Sequence, residues 1–404
     1  MTGGAIHAIV AGTVFDGSRL HQDRAVIVDG TSVAALVPNS ELPPGMPVHV
    51  LPEGAWLAPG FIDCQVNGGG DVLFNDAPTP ETIDRIAAAH LYYGTSALLP
   101  TLITDTPAKM QAAMAAVREA ATGNPSVLGI HLEGPFLSPE KPGVHNAALF
   151  RIPDAKDAAT LVAGRAGLGA MLVTLAPERV PPGFICRLAE AGIRVALGHS
   201  AATYAETKAA LAEGLTGFTH LFNAMPQLGS REPGPIAAAL EADNAWFGMI
   251  VDGHHVAPAM LRLALRGTAH PMLVSDAMPP VGGCKPGFPL GGTGVAVRNG
   301  RCTRADGTLA GAAIGMADGV RNCVALLGVP LTDALRFASV EPAAFLGLAD
   351  TLGRIARGYR ADLVGFDPKD MEVYQVWVAG TPKGSPPTGS PPTGSPPKGS
   401  DPSH

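Results

Sequence analysis

Short apolar runs recur along most of the chain and alternate with longer segments in which apolar and polar positions are mixed. Eight such runs follow Pro59, and they are rich in aliphatic and β-branched residues. They begin at or near Phe61, Thr95, Val127, Met171, Arg194, Gly217, Trp246 and Met272. Continuous apolar strands that alternate with helices are typical of a parallel sheet buried on both faces.

Segments between most of these runs have the composition and the end signals of helices. Examples are PETIDRIAAAHLYYG, TPAKMQAAMAAVREAATG, TYAETKAALAEG and APAMLRLALRG. Pro or Thr marks the start of a segment and Gly or a turn marks its end, as expected for capped helices. Eight β/α units in succession predict an α/β protein with a closed (β/α)8 barrel, the TIM-barrel fold, over residues 58–353.

The two ends of the chain have a different pattern, with short strand-like runs, turn residues and no convincing helix. Because chain ends often lie near each other within a domain, we expect residues 1–57 together with 354–380 to form one small β-sandwich domain. The segment VAVRNGRCTRADGT predicts a hairpin inserted into the barrel. A Pro/Gly/Ser repeat begins at residue 381 and predicts a disordered tail over residues 381–404.

Composition agrees with a large globular protein. The 404 residues suffice for a barrel of roughly 250 to 300 residues and a smaller domain. Hydrophobic residues make up 46% and charged residues 16%, which allows a large core and excludes a chain that is disordered throughout. The net charge of −7 and the lack of any Lys/Arg run argue against nucleic acid as a partner.

Signals of location point to a soluble cytoplasmic protein. The N-terminal residues lack a basic segment followed by a long apolar one, so we expect no signal peptide. No run of about 18 apolar residues is present, so we expect no membrane span. The five cysteines occur singly, without any C-x-x-C spacing, and predict no disulfide framework.

Five polar residues stand at or just past the ends of predicted strands, where barrel enzymes carry their chemistry. They are Glu133, His199, His220, His255 and Asp276. One carboxylate and two imidazoles are a sufficient ligand set for a catalytic zinc that keeps a position open for water. Each residue alone would equally fit a simple strand end, but five together favour a metal site. Hydrolysis is the reaction that this pattern predicts.

Motifs in a fixed order strengthen this interpretation. PGFIDCQVNGGG, HLEGPF, KPGVHN, LGHS, THLFNAM, SREPG, VDGHHV and VSDAM lie between about Pro59 and Ala317. In this order they closely resemble the N-acetylglucosamine-6-phosphate deacetylases, a family of the amidohydrolase superfamily. The resemblance implies a (β/α)8 barrel, a divalent metal ion, and hydrolysis of the acetamide of N-acetyl-D-glucosamine 6-phosphate in amino-sugar catabolism. The products would be D-glucosamine 6-phosphate and acetate.

The resemblance also implies roles for individual residues. Glu133, His199 and His220 match the metal ligands of the family, and Asp276 matches its catalytic Asp. His145 is expected to contact the sugar and to assist catalysis. The substrate-binding positions would be Val144, His145, Asn223, Ala224, Arg231, Asp252, His255, Leu309, Ala310 and Gly311. Ala312 stands where Ser is more usual, which puts one minor polar contact in doubt.

Physical arguments support several of these roles. Asp276 can take a proton from the attacking water and give it to the departing amine. His145 can donate a hydrogen bond to the acetamide oxygen as charge builds there, although a surface loop His is the alternative. Arg231 can bind phosphate with two donors, although a solvated loop Arg is the alternative. The resemblance places this Arg in the neighbouring subunit, so we expect a homodimer with Arg231 contributed in trans.

Three histidines near the site must be assigned a role. His254 and His255 are adjacent and should point in opposite directions, and the motif selects His255 for the ligand. His131 shares a strand face with Glu133 but lies deeper in the barrel. We expect His131 to be a hydrogen-bonded core residue rather than a metal ligand.

The first barrel strand differs from most of the superfamily, in which His-x-His holds a second metal. Gln65 and Asn67 occupy these positions here, and neutral amides bind such metals poorly. We therefore expect one divalent ion per subunit, with Gln65 and Asn67 facing the site as non-ligands. Zinc is the first choice, with iron, manganese or cobalt as alternatives set by supply. Strand alternation predicts that Cys64 points away from the site, towards the helices.

Two other functions stay open. A deacetylase for another phosphorylated amino sugar, such as N-acetylgalactosamine 6-phosphate, would keep the same metal ligands and Asp276. A non-catalytic assembly protein could keep the barrel without its chemistry. Comparing turnover of the two sugar phosphates tests the first alternative, and the metal content of the purified protein tests the second.

Overall fold

A computed structural model of the chain describes residues 6–298 and 300–384. Its strands form two eight-stranded sheets, one four-stranded sheet and one two-stranded sheet. All eight predicted barrel strands are present, and they pair in parallel within one of the large sheets. The other large sheet joins the two ends of the chain.

Five strands precede the barrel: β1 His7–Phe15, β2 Leu20–Asp29, β3 Ser32–Pro38, β4 Val48–Val50 and β5 Trp56–Pro59. Strand β1 pairs antiparallel with β2 and parallel with β4 and β5, while β2 pairs antiparallel with β3. Buried side chains of these strands, including Ile9, Val14 and Val26, form an apolar cluster with Leu363 and Trp377 from the other end of the chain. The two ends are therefore packed together as well as paired.

The barrel begins with β6 Phe61–Val66, and a small hairpin of β7 Gly68–Gly69 and β8 Val72–Leu73 follows. The next strands are β9 Thr95–Ile103, β10 Gly129–Glu133, β11 Ala170–Leu175, β12 Arg194–Leu197, β13 Gly217–Phe218, β14 Trp246–Met249 and β15 His270–Leu273. Neighbours in the sheet follow chain order from β6 through β9 to β15. Val66 bridges Ala277, and the backbone N–H of Ser275 donates to Asp63 Oδ1 at 3.2 Å. These contacts bring the first and last strands together, and the predicted eight-stranded barrel is confirmed.

The orientation predicted for Cys64 is wrong. Cys64 lines a small cavity inside the barrel with Gln65, His131 and Leu172, instead of facing the helices. The pairing of β6 with β9 shifts register between Asp63 and Val66. A bulge of this kind inserts an extra residue and interrupts the alternation of inward and outward side chains. Cys64 is fully buried there among apolar groups.

Helices connect the barrel strands and cover their outer faces. They are α1 Pro80–Leu91, α2 Pro107–Gly123, α3 Ala155–Gly164, α4 Phe184–Glu190, α5 Tyr204–Ala212, α6 Gly234–Leu240, α7 Pro258–Ala264, α8 Met316–Asn322, α9 Leu331–Ala338 and α10 Val340–Phe345. The side chains of Thr79, Thr106 and Thr203 accept hydrogen bonds from backbone N–H groups in the first turns of α1, α2 and α5. None of the helices in the described ranges has the length and apolar character that a bilayer crossing would require.

A four-stranded antiparallel sheet, the insertion sheet, follows the last barrel strand. It consists of β16 Gly287–Leu290, β17 Thr293–Arg298, β18 Arg301–Thr303 and β19 Leu309–Ala312. Strands β17 and β18 form the hairpin predicted in this segment. Apolar side chains of the sheet, such as Phe288, Val295 and Cys302, pack with Leu73 and Met278 over the top of the barrel.

The C-terminal residues complete the sheet that begins with β1. They form β20 Leu363–Phe366, β21 Val373–Val378 and β22 Thr381–Lys383, and β20 pairs antiparallel with β5. The resulting order is β22, β21, β20, β5, β1, β2, β3, with β4 also beside β1. Strands from both termini thus share one sheet, while the domain bounds stay a prediction.

The start predicted for the disordered tail is wrong, because its first residues form β22. Val378 pairs with Thr381 across a two-residue turn, in which Ala379 and Gly380 have φ values of 47° and 75°. Positive φ at both central positions is the geometry that tight hairpins favour. Pro382 argued against a strand in the sequence pattern, because Pro seldom occurs inside strands. The rest of the predicted tail, from residue 385 to 404, lies outside the described residues.

Candidate metal and substrate site

Four candidate residues lie together at the C-terminal ends of the barrel strands. Glu133 is the last residue of β10, while His199, His220 and Asp276 follow β12, β13 and β15 within a few residues. All four side chains are buried. The backbone φ angles of His199, His220 and Asp276 are 50°, 31° and 49°, in the left-handed region that residues other than Gly seldom adopt. Strained backbone of this kind clusters at functional sites, where the surrounding structure enforces it.

Three atoms of these residues form a nearly equilateral triangle. Glu133 Oε1 lies 3.2 Å from Nε2 of His199 and 3.2 Å from Nε2 of His220, and the two Nε2 atoms are 3.2 Å apart. A tetrahedral zinc ion with ligand distances of about 2.0 to 2.1 Å holds its ligand atoms about 3.3 Å apart. The triangle therefore has the size and the chemistry of a face of a zinc coordination shell.

Contacts around the triangle make it suitable for binding a cation. The carbonyl of Lys141 accepts from Nδ1 of His199 at 3.0 Å, which leaves the lone pair of Nε2 facing the triangle. Burial opposes ionisation of Glu133, but contact with the imidazoles of His199 and His220 holds the pKa of this carboxyl well below its usual range. The site thus presents a charged carboxylate and imidazole nitrogens to a common point.

His145 lies beside the triangle and belongs to a wider possible ligand group with Glu133 and His199, whose ligand atoms all lie within 4.8 Å of one another. The backbone N–H of Thr104 donates to Nδ1 of His145 at 3.3 Å, so the neutral ring carries its proton on Nε2. Burial and the neighbouring His199 lower the pKa of His145 to about 3, which keeps the ring neutral. Because a protonated Nε2 cannot bind a cation, the geometry favours His220 over His145 as the third ligand.

Asp276 is held by two side-chain amides from the end of the first barrel strand. Nδ2 of Asn67 donates to Asp276 Oδ1 at 2.7 Å, and Nε2 of Gln65 donates to the same oxygen at 3.2 Å. The Gln65 amide also reaches Glu133 Oε2 at 3.3 Å, so it links the carboxylates of Glu133 and Asp276. Burial and the charge of Glu133 raise the pKa of Asp276 to about 6. A carboxyl with such a pKa can both accept and return a proton near neutral pH.

These groups open onto a cavity of about 400 Å³. Seven of the predicted substrate-binding residues line it: Val144, His145, Asn223, Ala224, His255, Leu309 and Gly311. His255 lines the cavity, as the motif predicted, and His254 does not. Asp252 lies behind His255, where its Oδ2 is 2.7 Å from His255 Nδ1. Asp252 therefore orients the imidazole and turns its other nitrogen away from the carboxylate.

Besides Asp252, two predicted substrate-binding residues lie outside this lining. Ala310 is completely buried and packs with Met278 and Cys302, so any contact with substrate would come from its backbone. Arg231 is exposed on the loop that follows β13 and does not line the cavity of its own chain. Its contribution to a neighbouring subunit stays a prediction.

Sequence reasoning missed several residues that shape the cavity. Ile103, Gly143, Ile250, Met278, Gly307 and Thr308 line it as well. Thr104 and Lys141 lie behind the cavity lining, and their hydrogen bonds hold the rings of His145 and His199. Thr104 follows the end of β9, so the rule that selected the other strand-end residues would have found it. Lys141 acts through its carbonyl, which no side-chain pattern can reveal.

His131 has the structural role that its depth in the barrel predicts. Its Nε2 lies 2.7 Å from Oγ1 of Thr174, and its Nδ1 lies 3.3 Å from Oγ1 of Thr101. The side chain is completely buried, and burial lowers its pKa to about 4. His131 is a hydrogen-bonded core residue beneath the site.

Comparisons with known proteins point to the same chemistry. The family model described as the amidohydrolase family matches residues 56–383. The N-acetylgalactosamine-6-phosphate deacetylase of Shewanella sp. (strain ANA-3) is 44% identical over 338 residues, which cover 83% of this chain and 84% of that protein. The N-acetylglucosamine-6-phosphate deacetylase of Haemophilus influenzae is 34% identical over 377 residues, which cover 92% of this chain and 96% of that protein.

Solved structures give the same result for the fold. The crystal structure of N-acetylglucosamine-6-phosphate deacetylase from Pasteurella multocida superimposes with a TM-score of 0.90 at 35% identity. The match covers 94% of this chain and 99% of that one. Similarity therefore extends over the barrel and the sheet from the chain ends together.

Proposed function

Because this chain belongs to the amidohydrolase family, we propose that it hydrolyses the acetamide of N-acetyl-D-glucosamine 6-phosphate to D-glucosamine 6-phosphate and acetate. The observation that carries this proposal is the triangle of Glu133, His199 and His220 beside the doubly held carboxylate of Asp276. A relative at 34% identity over most of both chains is named as a deacetylase of this substrate.

Glu133, His199 and His220 would hold one divalent ion in each subunit, with zinc as the first choice and iron, manganese or cobalt as alternatives. Such an ion would polarise the acetamide carbonyl and make water acidic enough to attack at neutral pH. Gln65 and Asn67 donate hydrogen bonds to carboxylates here, so their amide groups serve the acid and base chemistry and not metal binding.

Asp276 is the proton carrier in this proposal. Both amide donors act on Oδ1, which leaves Oδ2 to take the proton of the attacking water. The protonated carboxyl then gives this proton to the nitrogen of the departing amine, which cannot leave as an anion. The raised pKa of Asp276, about 6, suits both steps.

His145 stabilises charge on the acetamide oxygen. Its Nε2–H points towards the metal triangle, 3.9 Å from Glu133 Oε2, because Thr104 occupies the other ring nitrogen. A neutral donor that is already in place strengthens its hydrogen bond as the oxygen becomes negative. Its pKa of about 3 ensures that His145 acts as a hydrogen-bond donor and not as an acid.

In the proposed binding mode, the phosphate lies at the end of the substrate opposite the acetamide. Asn223, Ala224 and His255 line the cavity there, and Asp252 holds the His255 ring. Arg231 does not line the cavity of its own chain. We therefore propose that it reaches the same phosphate from a second copy of the chain. A homodimer is the assembly that follows.

The epimeric substrate N-acetyl-D-galactosamine 6-phosphate is the second candidate. It is favoured by the 44% identity to a deacetylase with that name, against 34% for the Haemophilus influenzae enzyme that acts on the glucosamine form. Both epimers place the acetamide and the phosphate alike, so the metal triangle and Asp276 serve either.

The test is a side-by-side assay of amine release from the two sugar phosphates and from unphosphorylated N-acetylglucosamine. The proposal predicts the highest kcat/KM for N-acetylglucosamine 6-phosphate and poor turnover without phosphate. A higher kcat/KM for the galactosamine epimer would assign the second candidate. Absence of turnover for both phosphorylated sugars, in metal-loaded protein, would refute deacetylation of this substrate class.

A further inference from the structure

Four buried side chains form a continuous hydrogen-bonded chain across the barrel, beneath the metal triangle. They are Thr101 on β9, His131 on β10, Thr174 on β11 and Thr219, which directly follows β13. His131 Nδ1 lies 3.3 Å from Thr101 Oγ1, and His131 Nε2 lies 2.7 Å from Thr174 Oγ1. The Oγ1 atoms of Thr174 and Thr219 are 2.6 Å apart. Because the four side chains are buried, bulk water does not compete for these contacts.

The direction of these hydrogen bonds follows from the group at one end of the chain. The carbonyl of Leu99 can only accept, and it takes the hydroxyl proton of Thr101 at 3.2 Å. His131 Nδ1–H therefore donates to Thr101 Oγ1, and the unprotonated Nε2 of the neutral ring accepts from the Thr174 hydroxyl. Thr174 Oγ1 in turn accepts from the Thr219 hydroxyl. The Thr174 hydroxyl is thus a donor to one neighbour and an acceptor for the other.

Thr174 also contacts the backbone beside two of the proposed metal ligands. It belongs to β11, the strand between those that lead to Glu133 and His199. Its carbonyl accepts at 3.0 Å from the N–H of Gly134, the residue after Glu133. Gly198, the residue before His199, packs so closely that a Cβ at this position would lie 2.6 Å from Thr174 Cγ2. The placement of both ligands therefore depends on the position of Thr174.

Thr219 connects Thr174 to the third ligand. It directly precedes His220 in the chain, and its hydroxyl bonds to that of Thr174. The backbone of His220 has a φ of 31°, and a residue other than Gly keeps such a conformation only where the surrounding structure enforces it. The hydroxyl contact anchors the residue from which this strained turn starts.

We propose that Thr174 is a positioning residue of the metal site, and that its hydroxyl fixes the turns which present Glu133, His199 and His220 to one ion. The proposal rests on the proposed function, because it takes these three residues as the ligand set. Thr174 does not line the substrate cavity, so it acts through its neighbours. Loss of a group that orients metal ligands typically lowers metal affinity or activity about 10- to 100-fold.

The experiment measures the zinc affinity of the full chain by competition with a chromophoric chelator. In Thr174→Val the side chain keeps its shape but loses its hydroxyl, so we expect the zinc dissociation constant to rise about 10- to 100-fold. Thr174→Ser keeps the hydroxyl and should restore most of the affinity. Thr219→Val removes the other hydroxyl of the pair and should also raise the dissociation constant, which provides a second measure if Thr174→Val does not fold.

Thr95→Val is the matched control. Thr95 is a buried threonine at the start of β9, and its hydroxyl has no hydrogen-bond partner within the part of the chain that the structure describes. This variant should bind zinc as the wild type does. Zinc is titrated under conditions in which urea unfolding shows each metal-free variant to be folded. A lower affinity then reports the geometry of the site and not the stability of the barrel.

The outcomes distinguish this proposal from the proposed function. Equal zinc affinity in Thr174→Val, Thr219→Val and the wild type would overturn the positioning role, even if the wild type is an active deacetylase. Equal losses in Thr174→Val and Thr174→Ser would also overturn it, because the hydroxyl would then not be the group that matters. Weaker zinc binding in Thr174→Val, restored in Thr174→Ser, in a protein whose wild type shows no deacetylation would uphold the positioning role and refute the proposed function.

Discussion

The residues of the metal triangle are placed by contacts that lie outside the apolar core. His199 is fixed by the carbonyl of Lys141, and the left-handed backbone of His199 and His220 turns both rings towards Glu133. All three side chains are buried polar groups, which add little apolar packing to the barrel. Their removal should therefore affect chemistry much more than folding.

Replacing either histidine of the triangle should abolish metal binding. In His199→Ala or His220→Ala, one of only three protein ligands is lost, so the purified protein should contain little metal and show almost no turnover. Circular dichroism should still report the folded barrel. Metal analysis together with the deacetylation assay checks this, and normal metal content with normal turnover in either variant would remove that residue from the ligand set.

Asp276→Asn should behave differently, because Asp276 serves proton transfer and not metal binding. The variant should retain its metal and bind substrate, yet lose at least about 100-fold in kcat, the range for removal of general acid and base help. Measured kcat and KM, with metal content on the same sample, test this. A variant that loses its metal, or that keeps its kcat, would contradict the role assigned to Asp276.

At the scale of elements, the closure of the barrel depends on a buried carboxyl on its first strand. Oδ1 of Asp63 accepts from the backbone N–H groups of Gln65 and Ser275, each at 3.2 Å. Gln65 is one of the two amides that hold Asp276, and Ser275 directly precedes Asp276. Burial raises the pKa of Asp63 to about 7, so the neutral acid is favoured in the folded protein.

Asp63→Asn should therefore become more stabilising, relative to the wild type, as pH rises. A carboxyl whose pKa is higher in the folded state than in the unfolded state loses its contribution as pH rises from the unfolded value, near 4, to the folded value. The wild type should lose this contribution up to about pH 7, while the Asn variant keeps its acceptor at every pH. Urea unfolding at pH 5 and pH 8 measures the difference.

The matched control is Asp63→Ala, which leaves two buried N–H groups without their acceptor. It should be less stable than the wild type at both pH values, because each unsatisfied group costs roughly 1 to 3 kcal/mol. If Asp63→Asn differs from the wild type by the same amount at pH 5 and pH 8, the carboxyl does not titrate in this range.

The elements themselves were largely predictable from the sequence, since apolar runs and helix caps are local signals. The eight barrel strands and the four helices quoted from the sequence are all present. The side of the barrel that Cys64 faces was not predictable, because it depends on a bulge set by pairing with another strand. Strand β22 was missed because its pairing with β21, and not its own composition, defines it.

Predictability of the site follows the same division. Strand-end residues such as Glu133 and His199 could be found because strand ends converge in a barrel. The role of Lys141 could not, because its carbonyl contacts the His199 ring from a segment distant in sequence.

At the scale of the whole molecule, the loop after β13 carries Arg231 away from the cavity of its own chain. Exposed Leu228 lies on the same loop, so the loop offers an apolar and a cationic group to a neighbour. This arrangement suits a dimer in which each chain completes the phosphate site of the other.

Arg231→Ala should raise the KM for the phosphorylated sugar and hardly alter the poor turnover of unphosphorylated N-acetylglucosamine. Loss of one charge-assisted contact is worth roughly 1.5 to 3 kcal/mol, or about 10- to 150-fold. Steady-state kinetics with both sugars measure this. Equal losses for both sugars would show that the effect of Arg231 does not depend on the phosphate.

Mixed dimers of Arg231→Ala and Asp276→Asn chains test whether the arginine acts across the interface. The site that has an intact Asp276 would receive its arginine from the Asp276→Asn chain, so one competent site should reappear in each co-expressed mixed dimer. Activity no higher than that of the two parent variants, in authenticated mixed dimers, would place Arg231 in its own site or exclude it from phosphate binding.

The central claim is that one divalent ion in the triangle of Glu133, His199 and His220 enables this chain to remove acetate from a phosphorylated amino sugar. The most direct measurement is acetate release from N-acetylglucosamine 6-phosphate by metal-free protein to which zinc is added in steps. We predict no release without metal, full activity at one ion per subunit, and no further gain with a second. Undiminished release by metal-free protein, or no release at any metal loading, would contradict the account.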